Sequence, residues 1–167
     1  YDALSSSGIL NANATSFGKR SIPSYQFDKA KTIVSLGADF LGTWLSPVEY
    51  ARQYAAGRKI DQTKLEMSKH IQFESMLSLT GANADDRYVH RPSETAAVLL
   101  NLYAALGGSV TAPALSDDRL KKGIKMAAEA LKSSGAASLV VAGSNDSSVQ
   151  LVVNAINQML GAYGTTI

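Results

Sequence analysis

Two short apolar runs, each closed by a glycine and each followed by a helix start, set the tightest limit on how this chain folds. Ile33-Val34-Ser35-Leu36-Gly37 and Ser138-Leu139-Val140-Val141-Ala142-Gly143 lack the polar alternation of a strand with one wet face. Aliphatic runs of this length read as strands covered on both sides, the condition of a parallel sheet between layers of helices. After the first run, Ser46-Pro47-Val48-Glu49 carries the marks of a helix start: Ser46 at the N-cap, Pro47 at the first helical position and Glu49 completing a capping box. That helix is predicted to run to Gly57, placed as its C-terminal stop.

The remaining segments extend the alternation. A small-residue helix is predicted over 3–15, with Leu4, Ile9 and Leu10 on its apolar side, and a short strand over Lys64–Ser68. Residues 71–83 stay unassigned. Tyr88-Val89-His90-Arg91 reads as a strand because the residue before Pro92 avoids the helical region. A helix follows from Ser93 to Leu106, closed by Gly107-Gly108, then an amphipathic helix over Asp117–Ser134 and a last one over Val149–Leu160, stopped by Gly161. The order β-α-β-loop-β-α, then α-β-α, predicts an α/β class, a Rossmann-like parallel sheet flanked by helices. Residues 1–106 are expected to form most of one lobe, incomplete at its N-terminus. Residues 107–116 read as a linker, and 117–167 as the start of a second α/β unit. The chain opens on Tyr1 without a leading methionine and closes on a glycine-rich stretch, 161–167, that reads as a strand about to begin, so a domain excised from a longer protein is expected.

Composition narrows the chemistry. With no cysteine among 167 residues, thiolate zinc sites, iron–sulfur ligation, disulfides and cysteine nucleophiles are excluded within this sequence. The 16 basic residues are scattered and nearly balanced by 14 acidic ones, for a net charge of +2, which gives no electrostatic footprint for nucleic acid. No apolar run reaches the ~20 residues that cross a bilayer, so no direct membrane insertion is expected.

In open α/β sheets ligands sit beyond the carboxyl ends of the strands. The first place to look is therefore Gly37-Ala38-Asp39-Phe40-Leu41-Gly42-Thr43-Trp44-Leu45-Ser46. Its glycines permit close backbone approach and the helix start at Ser46 offers free N–H groups, but no G-x-G-x-x-G fingerprint is present. Phe40 and Trp44, the chain's one tryptophan, are candidates to stack on a ring or to anchor a partner protein. Gly143-Ser144-Asn145-Asp146-Ser147-Ser148 is a second loop of this kind, although small polar residues serve any turn and cap. His70 and His90 have no third metal ligand placed by a motif. Asp85-Asp86-Arg87 reads as a solvated turn, and the sequon-like triplets at Asn13 and Asn145 carry no weight.

Several segments, taken in order, resemble the molybdopterin oxidoreductase family, which includes formate dehydrogenase and dimethyl sulfoxide reductase relatives. They are Phe27-Asp28-Lys29-Ala30 leading into the strand that ends at Gly37-Ala38-Asp39; Ala84-Asp85-Asp86-Arg87-Tyr88-Val89-His90-Arg91-Pro92-Ser93-Glu94-Thr95; and Ser138–Gly143 with Asn157-Gln158-Met159-Leu160-Gly161-Ala162-Tyr163-Gly164. Within that family, Ala38–Glu49, Ser68–Ser75 and Leu77–Asp85 resemble the large periplasmic subunit of alternative complex III, a quinol:cytochrome c oxidoreductase assembly. The resemblance implies a sheet like the central domains of that family. It also implies a periplasmic location at the inner membrane, held there by partner subunits, and an iron–sulfur part elsewhere in the same parent chain.

The departures from the family pattern imply lost cofactor binding. Asp39 stands where the family has a neutral Asn, Ser68-Lys69-His70 falls where an Asp-Pro-Arg is expected, and Pro92-Ser93-Glu94-Thr95 replaces Pro-Gly-Thr-Asp. Removing the acceptor that holds a guanine would leave buried donors unpaired at about 1–3 kcal/mol each. The expectation is a domain without cofactor that serves as a scaffold, with Phe40 and Trp44 meeting partners. The alternative is a domain binding molybdopterin guanine dinucleotide, with Gly37, Asp39, Ser46, Ser93 and Glu94 lining the nucleotide.

Overall fold

The computed structural model describes residues 5–60, 62–63 and 65–167. Four strands form one all-parallel sheet in the order β3-β2-β1-β4, where β1 is Thr32–Leu36, β2 Lys69–Glu74, β3 Asp86–Val89 and β4 Ser138–Ala142. The helices are α1 (Ser7–Phe17), α2 (Pro47–Arg58), α3 (Leu79–Ala82), α4 (Thr95–Leu106), α5 (Asp118–Ser134) and α6 (Ser147–Leu160). The chain steps outward from β1 to β2 to β3, then returns across the sheet to place β4 on the other side of β1. This is a Rossmann-like α/β fold, and the reversal of direction falls between β1 and β4.

Alternate residues of β1 and β4 feed two separate cores. Val34 and Leu36 of β1 and Val140 and Ala142 of β4 face one way, packing with Ile71, Phe73 and Tyr88 under α4, α5 and α6. Ile33, Leu139 and Val141 face the other way, into an aromatic layer of Phe27, Phe40, Tyr25, Tyr50 and Tyr54. All five residues of β1 and all five of β4 are buried, as the apolar runs require. Helices on opposite faces are what right-handed crossovers demand when the direction of strand addition reverses.

Four expectations need correction. Residues 117–167 begin no separate unit: β4 pairs along its whole length with β1, and α5 and α6 bury Leu131, Val153 and Ile156 in the same core as β2. The stretch 107–116 is anchored to that body, with Leu115 buried and the Asn101 amide donating to the Pro113 carbonyl at 2.8 Å. The strand placed at 64–68 starts instead at Lys69. Leu65 and Met67 are 79% and 48% exposed, whereas His70, Gln72 and Glu74 turn inward and satisfy one another; Lys64 itself lies outside the described residues. At the C-terminal end of the chain, residues 163–166 form a turn rather than a strand start, and the Thr166 hydroxyl donates to the Ser138 carbonyl at 2.6 Å.

Smaller shifts have local causes. The first helix occupies 7–17 rather than 3–15 and ends where Gly18 adopts φ 68°; Leu4, placed on its apolar side, lies outside the described residues. The third strand is Asp86–Val89, two residues earlier than Tyr88–Arg91, because Arg91 already begins the 3-10 turn at Pro92. Gly57 is not the stop of α2; it sits inside the last turn, where a Cβ would lie 3.4 Å from the Phe27 carbonyl. The capping box expected at Ser46 does not form, since the Ser46 side chain makes no cap bond and Glu49 instead accepts from the Gln53 amide at 3.2 Å.

Candidate functional site

The switch in strand order leaves a crevice at the carboxyl ends of β1 and β4, the position where α/β sheets take ligands. Gly37 turns the chain out of β1 with φ 65°, and Gly143 leaves β4 beside it. A Cβ on Gly143 would collide with the Gly37 carbonyl, so the two loops meet backbone to backbone. Two adjoining hollows share this floor. One, of about 400 Å³, is bordered by Pro92, Ser93, Ser144 and Asp146. The other, of about 790 Å³, is bordered by Asp39, Trp44, Ser46, Tyr50 and Asn145.

The loop after β1 is held shut by its own bonds. The Asp39 carbonyl accepts from the N–H groups of Gly42, Thr43 and Trp44 at 3.0, 2.9 and 2.9 Å. One oxygen of the Asp39 carboxylate accepts from the Thr80 N–H at 3.0 Å and from its hydroxyl at 2.8 Å. The Thr80 oxygen in turn accepts from the Leu41 N–H at 2.9 Å. Leu45 closes the loop at φ 53°, a left-handed conformation that costs a non-glycine residue about 1 kcal/mol. Trp44 is half-buried at the rim, its ring 5.3 Å from Tyr25 and 5.9 Å from Tyr50. Burial, followed by the charge of Glu49, pushes the Tyr50 hydroxyl up to about 12, so it stays protonated at neutral pH.

The loop after β4 is covered by α1. The Asn145 side-chain oxygen accepts from the Gly8 N–H at 2.8 Å, and a Cβ on Gly8 would lie 2.5 Å from the Asn145 carbonyl. Asp146 caps α6, accepting from the Ser148 N–H at 2.8 Å. A carboxylate therefore stands at the start of α6, and Glu49 stands in the first turn of α2. Among the described residues bordering the two hollows there is no lysine or arginine. A dinucleotide pyrophosphate is a dianion, and a helix N-terminus already carrying a carboxylate loses its attraction for such a group. The guanine dinucleotide implied by the family resemblance therefore finds no matching charge here.

Of the residues proposed from sequence, the fold brings Gly37, Asp39, Ser46, Ser93 and Trp44 to this crevice. Glu94 is turned away, its carboxylate accepting from the Arg91 N–H at 2.9 Å. Phe40, expected to touch a partner, is fully buried, with its ring 4.3 Å from Phe27. Its side chain points through the loop into the aromatic layer, while Trp44, four residues on, stays at the rim. Ser5, Ser6, Ile9 and Ile22 also border the larger hollow, and sequence reasoning missed all four. Gly8, a small residue in a helix, was the one local hint that α1 approaches another backbone closely.

Residues 85–87 form no solvated turn: Asp86 and Arg87 lie in β3, and Asp85 and Arg87 join His70 in a separate polar column away from the crevice. His70 is fully buried, with Nδ1 3.1 Å from the Tyr54 hydroxyl and Nε2 3.2 Å from the Gln72 oxygen. Burial pulls its pKa down to about 4. At one end of the column, Arg58 grips Asp85 through two bonds of 2.8 and 2.6 Å. At the other, burial alone would raise Glu74, but bonds from Arg87, Ser78 and Gln72 hold it below the usual carboxylate range. Among the described residues, no group of three His, Cys, Asp or Glu is placed to hold a metal ion. No helix of the described residues is long and apolar enough to cross a membrane. Comparison with protein-family models and with curated proteins gives no match.

Proposed function

We propose that this chain is a docking domain of a periplasmic respiratory electron-transfer complex, a molybdopterin-oxidoreductase-like unit without cofactor that holds neighbouring subunits and the iron–sulfur part of its parent chain. The observation that carries the reading is the engagement of Asp39. Its carboxylate is bonded twice to Thr80, so the loop that would meet a guanine is committed to the protein itself. The carboxylates of Glu49 and Asp146 at the two helix starts support the same reading. Ser68 and His70, which fall where the family carries its Asp-Pro-Arg, are buried and outside the crevice. What the crevice offers a protein partner is a half-buried indole on a braced loop, the kind of large aromatic that anchors interfaces.

The test is Trp44→Ala in the intact parent complex. Recovery of the neighbouring subunits on affinity purification should fall several-fold, with Trp44→Phe retaining most of it. Unchanged recovery would overturn the docking role. Stoichiometric molybdenum or tungsten together with pterin guanine dinucleotide, lost on Asp39→Ala, would establish the cofactor-binding alternative instead.

A further inference from the structure

The helices on one side of the sheet concentrate their charge on a single member. α4, α5 and α6 pack together over the core that holds Val34 and Val140. Neither α4 nor α6 has a lysine, arginine, aspartate or glutamate along its length. α5 carries five of the chain's 16 basic residues, Arg119, Lys121, Lys122, Lys125 and Lys132, against two acids, Asp118 and Glu129. Its apolar stripe, from Leu120 and Ile124 to Leu131, is buried in that core, and all of its charged residues are exposed on the outer face.

Residues four and seven apart share one side of a helix, which sets Lys121, Lys125 and Lys132 in a row. Lys132 Nζ donates to the Ala105 carbonyl at 2.7 Å, so the row runs along the side of α5 that faces α4. Lys121 pairs with Asp118 at 2.7 Å. Among the described residues, Arg119, Lys122, Lys125 and Glu129 enter no ion pair. Asp86 lies in β3, whose Tyr88 packs on Gly123 of α5, and it is itself paired with Lys69 at 3.3 Å. No acid beyond Asp118 and Glu129 therefore offsets the basic face from α4, α6 or β3.

We propose that the outer face of α5 lies against an anionic lipid bilayer, held at the headgroups by charge. The cations stand on a convex ridge about 25 Å long instead of converging on a pocket, and α5 borders neither hollow of the crevice. Four of the five are lysines, point charges without the planar fork that reads one carboxylate in a fixed geometry. A row of that kind fits a broad plane of negative charge better than the separate carboxylates of a protein. The exposed positions of α5 carry no apolar side chain, so nothing inserts. The uncharged flank of α4 beside the row presses no carboxylate against the surface. This face is separate from the crevice and independent of the docking role proposed there.

The probe is a vesicle of equimolar phosphatidylglycerol and phosphatidylcholine, with phosphatidylcholine alone as its counterpart. Flotation should carry the full chain with the anionic vesicles and leave it behind with the neutral ones. Salt at about 1 M, where the screening length falls to ~3 Å, should release it. Lys122→Glu combined with Lys125→Glu should lower the partition coefficient by roughly tenfold or more, since each basic residue at an anionic surface is worth about fivefold. Arg52→Glu combined with Lys59→Glu makes the same change in net charge at exposed positions by α2, on the other side of the sheet, and should leave flotation intact. Circular dichroism checks that both pairs stay folded, and the milder Lys125→Gln should still cost about fivefold. Equal flotation with the two lipid compositions, or equal loss from the two pairs, would overturn the proposal. So would capture on polyglutamate beads without flotation, which would assign this face to an acidic protein instead.

Discussion

Replacing Asn157 with leucine should unseal the outer flank of β4. On the outer flank of β4 the Asn157 side-chain oxygen accepts from the Val140 N–H at 3.0 Å and its amide donates to the Val140 carbonyl at 2.8 Å; Asn157 is 1% exposed and Val140 fully buried, so no water reaches either Val140 main-chain group once the amide is gone. Each buried, unpaired main-chain group costs about 1–3 kcal/mol. Leucine has the branched skeleton of asparagine but is bulkier, so apolar contact with the neighbouring core recovers part of this and crowding returns some of it, leaving a net loss of about 2–4 kcal/mol. For a domain of this size that lowers the melting midpoint by roughly 4–16 °C, without unfolding a protein whose total stability is of order 5–15 kcal/mol. Urea denaturation followed by circular dichroism measures the loss directly. Asn157→Asp supplies an internal control. The ionised carboxylate repels the Val140 carbonyl, whereas the protonated form can donate to it, so this variant's deficit should shrink as pH falls. A leucine variant within 0.5 kcal/mol of the parent, with unchanged amide protection at Val140, would refute the view that this side chain serves as a surrogate strand.

Two further outcomes follow from the polar column and from α3. His70 has its pKa lowered from 6.5 to about 4 by burial. The unfolded chain therefore binds this proton first, and stability should fall as pH drops from 6.5 toward 4, at up to about 1.4 kcal/mol per pH unit. His70→Gln should flatten that window in urea titrations, and an NMR titration should find the His70 ring neutral at pH 5.5. Gly81 packs so closely that a Cβ would overlap the Glu74 carboxylate, so Gly81→Ala should cost about 1–3 kcal/mol in thermal unfolding, and Glu74→Gln should leave the site just as crowded.

Much of the architecture was legible because β1 and β4 are apolar at every position that needs to be. Ile33, Val34 and Leu36 state a doubly covered strand, and Gly37 states its end. The strand β2 was misplaced for the opposite reason. His70, Gln72 and Glu74 read as solvent-facing residues, and only their mutual bonds, with Tyr54 and Arg87, make them admissible inside. The run Lys64–Ser68 alternates just as well on paper, but its apolar members Leu65 and Met67 stay exposed. The joining of 117–167 to the first lobe was equally out of reach, since pairing Val34 with Val140 is a contact across a hundred residues of chain. At the crevice, loop position could be read from the strand ends, which is why Gly37, Asp39, Ser46 and Ser93 converge. Side-chain direction could not be, because a loop braced by Thr80 has no period to follow; Phe40 turns inward for that reason, while Glu94, in the 3-10 turn after β3, folds back onto the Arg91 N–H.

The solitary indole has a practical corollary. Because Trp44 is the chain's one tryptophan and sits between Tyr25 and Tyr50 at the mouth of the crevice, its emission is a built-in optical gauge of that spot alone. A partner seating there should shift the wavelength and lifetime of the fluorescence, whereas one bound elsewhere on the domain should leave both silent. One cuvette measurement can thus tell whether an unknown binder occupies the crevice before any label is attached.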